Sequence, residues 1–185
     1  MTDFQHFIDE YGAPSETKRP DERFLEGYRG TVPDQVIEFW TRFGFGSYLR
    51  GLLWVPNPHQ LDGVLAEWLP KQSKVVPIVR SAFGNVVYWQ GHEFTLLDPN
   101  TNDRFSASDD AEVVFGFFLI GDDARRGVLQ EPLFNKALKK FGPLLPDEMY
   151  GYKLPLALGG ERTLKNMEKM KIREQLSILA ELHRE

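Results

Sequence analysis

Four histidines and one carboxylate-rich turn are the residues of this chain best suited to chemistry. His6, His59, His92 and His183 are scattered, with no short metal-ligand spacing between any two. General acid–base work would require each to meet a partner from elsewhere in the chain. There is no G-x-S-x-G motif to present a nucleophilic serine, and without cysteine a thiolate nucleophile or metal ligand is impossible. The turn is more suggestive. Asp98, Asn100, Asn102 and Asp109 fall at positions 1, 3, 5 and 12 of a calcium-loop pattern. The sixth position, where glycine makes the sharp turn, is Asp103, and the twelfth is the short Asp109 in place of a bidentate Glu. The flanking segments also alternate like strands. These residues therefore read as a connection between strands, and no catalytic residue, cofactor or metal is expected.

A second stretch invites a phosphate-binding reading. Gly44, Gly46 and Gly51 punctuate an apolar run that ends in Pro56 and Pro58. Neither GxGxxG nor a GKS/GKT sequence is present, so turn geometry explains these glycines better. Nucleic-acid binding has little support. Lys165, Lys169, Lys171 and Arg173 are interleaved with Glu168 and Glu174, the pattern of intrahelical pairing, and the pI is near 5.5.

The elements that must position these residues centre on Pro77 to Phe118. Apolar residues there alternate with period two between turn residues, which predicts strands at about 75–80, 85–90, 93–98 and 104–107. The expected faces are Val86, Tyr88, Phe94 and Leu96 on one side and Val87, Trp89, Thr95 and Leu97 on the other. Four helices precede them, at about 2–11, 21–28, 33–43 and 58–69. The first opens on a T-x-x-Q capping box at Thr2, and the last stops at Pro70. Asp110 and its neighbours cap a helix carrying Val113, Val114, Phe117 and Phe118, and further helices are expected at 133–141 and 163–182. The segment SETKRP and residues 147–160 read as loops. The fold class is thus α+β, a small antiparallel β-meander covered by several helices. Residues 1–72 form a helical N-terminal part, and 73–185 form the meander with the C-terminal helices, packed as one compact unit.

Net charge of −5 is spread unevenly. Residues 1–38 and 91–131 are net acidic, and 39–90 and 132–185 are net basic. In 91–131 nine acids face three bases. An acidic surface of this kind repels nucleic acid and attracts a basic protein. The first residues carry no basic n-region and no window is long and apolar enough for a membrane span, so a soluble, cytoplasmic protein is expected.

Two stretches carry a resemblance. FIDEYGAP, then FWTRFGFGSYLRGLLWVPNP and AEWLP, resembles the GAD-like domain family. VVFGFFLIGD, then FNKALKKFGPLLPDEMYGYKLPLALGG and LKNMEKMKIREQLSILAEL, is similar to the C-terminal domain of type VI secretion immunity proteins. The shared positions, among them Trp40, Gly44, Trp54, Trp68, Gly84, Tyr150 and Gly160, are scaffold residues, and the resemblance implies no catalytic ones. It implies a protein that neutralises a cognate toxin, most often a DNase effector, by stoichiometric binding. Asp98, Asp103, Asp109, Asp110, Asp122 and Asp123, with Trp89 as aromatic anchor, are the expected toxin contacts. A generic interaction adaptor and a small enzyme are the alternatives.

Overall fold

Alternation makes strands of the expected stretch, and three more strands join it from the N-terminal side. The structure is a computed structural model that describes residues 4–69 and 74–184. Its main sheet has seven antiparallel strands in chain order: β1 (Ser15–Lys18), β2 (Phe45–Tyr48), β3 (Leu53–Val55), β4 (Val76–Ser81), β5 (Val86–Trp89), β6 (Phe94–Asp98) and β7 (Asp103–Ser108). The fold is α+β, with a larger meander than the alternation alone predicts.

The additional strands come from segments with weak patterns. Every residue of β1 is exposed, so SETK shows no apolar alternation, and main-chain pairing of Ser15 with Ser47 and of Lys18 with Phe45 holds it to the edge. This pairing explains the glycines of GFG. A Cβ on Gly44 would lie 2.8 Å from the Lys18 carbonyl oxygen, and one on Gly46 would lie 2.8 Å from that of Ser15. They admit a neighbouring backbone, as turn geometry only partly anticipated.

Residues Gly91 and His92 form the β5–β6 turn, with Gly91 at φ +97° and the Gln90 N–H donating to the Glu93 carbonyl. This two-residue loop pairs Val86 with Leu97, Val87 with Leu96 and Trp89 with Phe94. Opposed residues share a face, so the expected faces are corrected for β6. Phe94 and Leu96 lie with Val87 and Trp89, whereas Thr95 and Leu97 lie with Val86 and Tyr88.

Both faces are buried. On the first, Val87, Trp89, Phe94 and Leu96 join a core with Phe4, Phe7 of α1 (Gln5–Tyr11), Leu25 of α2 (Glu22–Tyr28), Phe39 of α3 (Asp34–Phe43) and Phe115. The Phe39 and Phe115 rings stack at 4.3 Å. On the second, Val86, Tyr88 and Leu97 meet Val64 and Leu65 of α4 (Asp62–Leu65) and Leu176 and Leu179 of α7 (Ile172–Leu182). Coverage on both sides accounts for the unbroken burial along β4 and β5.

Past β7, Asp110 accepts a hydrogen bond from the Glu112 N–H and caps α5 (Ala111–Val113). The chain then widens into two π turns, Val114–Phe118 and Ala124–Val128, before α6 (Glu131–Phe141). Residues read as loop and as the start of the last helix instead form a hairpin, β8 (Glu148–Tyr152) with β9 (Met167–Lys171). The helix-forming sequence MEKMK is overridden by its pairing with β8 and by burial of Met167. Thr2 and Pro70, the expected cap and stop, lie outside the described residues.

Candidate functional site

Among the described residues, strand β7 is the sheet's outer edge, paired with β6 alone. Phe105 stands opposite Leu96 on the first face, but with no strand beyond it the ring stays 52% exposed. The two π turns face this ring. Leu119 N–H donates to the Val114 carbonyl and Leu129 N–H to that of Ala124, five-residue spacings that widen the helix. The widening rotates Phe117 out of the buried stripe, to 68% exposure. Tyr11 holds this segment from below by donating its hydroxyl to the Leu119 carbonyl. Burial, with Glu131 nearby, raises the Tyr11 pKa and keeps the hydroxyl a donor.

Between β7 and the π turns lies an open groove of about 560 Å³. Leu96, Phe118, Ala124 and Val128 line it, Phe105 and Phe117 stand in it, and Asp122 and Asp123 form its polar rim. Neither aspartate forms an ion pair among the described residues. The adjacent Arg125 is occupied by Glu131, at 2.7 Å, and by Glu10. The groove therefore combines exposed aromatic surface with uncompensated negative charge, the combination that receives an apolar segment flanked by basic residues.

The other expected contacts fall along the same edge. Asp98 and Asp103 face each other at the β6–β7 turn, where Asp98 accepts from the Asn100 N–H and pairs with Arg162 at 3.5 Å. Asp103 accepts from the Thr101 hydroxyl at 2.6 Å. Asp109 and Asp110 lie at the opposite end of β7, Asp109 exposed and Asp110 engaged as a helix cap. Asp103 and Asp109 are six residues apart along the strand direction, about 20 Å, so the partial calcium-loop spacing cannot gather its ligands around one ion. Among the described residues no three His, Asp or Glu side chains gather into a metal-binding group.

Trp89, the expected anchor, is only 9% exposed and packs on Phe94 in the first core. The exposed aromatics on this edge are Phe105 and Phe117, which the sequence places in a strand and in a buried helical stripe. The histidines stay dispersed: His6 lies 6.4 Å from Phe117 between ring centroids, His59 contacts Asp62, His92 lies beside Glu93, and His183 meets the Pro99 carbonyl. Among the described residues no helix is long and apolar enough to cross a membrane.

Residues 2–98 match the family model of the GAD-like domain. The chain belongs to the GAD-like domain family. Residues 114–183 of this GAD-like protein match a second model, the C-terminal domain of the type VI secretion immunity protein Tdi1. The two matches, in that order, support a type VI secretion immunity protein, whose family implies a cognate toxin as partner and points to binding rather than turnover. The groove is built by both regions, with Leu96 from the first and Phe117 to Val128 from the second. Among solved structures, the crystal structure of Atu4351 from Agrobacterium tumefaciens shares the fold, with a TM-score of 0.82 at 20% identity over 96% of this chain and 88% of that one. No curated protein matches the chain in sequence.

Proposed function

We propose that this immunity protein acts in the cytoplasm as a stoichiometric inhibitor of a DNase toxin and holds it along the β7 edge. The observation that carries the reading is the groove, where exposed Phe105 and Phe117 lie beside Asp122 and Asp123. A nuclease needs positive surface to hold phosphate, and an acidic, aromatic-bearing inhibitor competes for that surface. Phe117 is the anchor in this reading, and Asp122 and Asp123 meet basic toxin residues beside it. Asp98 and Asp103 extend the contact at one end of β7, and Asp109 and Asp110 at the other. The parts before and after residue 72 act as one unit, in keeping with the β3–β4 pairing that joins them.

Titrating the purified toxin's DNA cleavage with this chain tests the proposal. Activity is expected to fall linearly to zero at one equivalent. Undiminished cleavage in the presence of a stable complex would remove the DNase reading, and absence of a complex would remove the binding reading.

A further inference from the structure

Arg80, next to the last residue of β4, is 2% exposed, which is rare for an arginine without a carboxylate partner. Its guanidinium lies 4.4 Å from the Trp54 ring. Its Nη2 donates to the Pro146 carbonyl at 2.9 Å, and Nη1 makes a long contact of 3.4 Å with the Ser81 carbonyl. Among the described residues it forms no ion pair. Asp147 acts on it only from a distance, because that carboxylate is hydrogen-bonded to Lys171 at 2.7 Å. Burial accordingly lowers the Arg80 pKa to about 9, still protonated at neutral pH.

Arg80 lines a pocket of about 220 Å³ on the second face of the sheet. Leu61 and Ile172 give it apolar walls, and His59, Asp147 and Arg173 lie around it. That space is enough for a short carboxylic acid or an acidic side chain. A guanidinium has five N–H donors in a planar fork that matches a carboxylate, and carbonyl oxygens here engage only part of that fork.

We propose that this pocket is a carboxylate-binding site, in which Arg80 receives the anion on its free donors while Trp54 holds the guanidinium plane in place. A carboxylate there supplies the directly bonded counter-charge that Asp147, held by Lys171, does not, and the apolar walls strengthen the pairing by excluding water. Both a free small acid and an acidic side chain of a bound protein carry this chemistry. The site is separate from the β7 groove and does not depend on the toxin-binding reading.

The test is a titration of the ¹⁵N-labelled full chain with sodium acetate, then with sodium glutarate, at constant ionic strength set by chloride. The Arg80 Nε–H resonance is the readout in the wild-type chain, and the backbone amides of Leu61 and Ile172, which line the pocket, are the readout shared with the variants. A saturable shift is expected, absent in Arg80→Met and at least about tenfold weaker in Arg80→Lys, which keeps the charge and loses the fork. A linear, non-saturating shift or an unmoved Arg80 resonance in the wild-type chain overturns the proposal, whether or not the variants fold. A second arm adds acetate to the complex of this chain with its cognate toxin. Weakening of that complex by acetate identifies a toxin side chain as the occupant, and an unaffected complex identifies a free acid.

Discussion

Leu96 and Phe105 face each other across the β6–β7 register, yet Leu96 is 3% exposed and Phe105 is 52% exposed. The pair marks the line where the core ends and the open groove begins. Among the described residues no strand lies further out to cover an aromatic ring, and the neighbouring π turns add Phe117 to the same opening. Large exposed rings beside unpaired carboxylates have a role in recognition that they lack in folding.

Phe117→Ala is therefore expected to separate binding from stability. Calorimetric titration with the toxin should show a loss of about 2 kcal/mol or more, as for a central aromatic anchor. The urea midpoint of the free chain should move little, by roughly 0.5 kcal/mol at most, because the ring is mostly in water.

Charge at the rim should act on encounter. In Asp122→Lys/Asp123→Lys the association rate at low salt should fall by roughly tenfold or more, and its dependence on ionic strength should flatten. Stopped-flow association at several salt concentrations checks this, and an unchanged salt dependence removes these aspartates from the contact.

The central strands were legible because alternation and turn residues coincide from Val76 to Ser108. Other elements were hidden for identifiable reasons. The four residues of β1 are polar and exposed, so only their backbone pairing reveals them. Strand β9 is written in helix-forming residues and becomes a strand through its partner β8. The acidic edge was readable as composition, but its aromatic component was not. Trp89 alternates like an outward residue until helices cover that face too, and Phe117 fits a buried stripe until the π turn shifts its phase.

Gly46→Ala tests the seating of β1. The new methyl group would meet the Ser15 carbonyl oxygen at 2.8 Å and Pro14 Cβ at 3.1 Å, so the edge strand must move. A destabilisation of roughly 1–3 kcal/mol in urea is expected, with faster amide exchange in 15–18.

Tyr150 gives the alkaline limb of stability a definite sign. Its hydroxyl donates to the Gly142 carbonyl at 2.6 Å, and burial, with Glu148 nearby, pushes its pKa up to about 12. The unfolded tyrosine ionises near 10, so this contribution is complete below about pH 10 and is lost as pH rises toward 12. Tyr150→Phe should cost about 1 kcal/mol at neutral pH and show a shallower fall in stability above pH 10 by chemical denaturation.

Growth of cells producing the product of the neighbouring gene, tested as the cognate toxin, checks the central claim most directly. Co-expression of the wild-type chain should restore growth, and the triple variant Phe117→Ala/Asp122→Lys/Asp123→Lys, present at the same level and folded, should not. Failure of the wild-type chain to rescue would contradict immunity against that toxin, and full rescue by the triple variant would contradict the β7 groove as the surface that confers it.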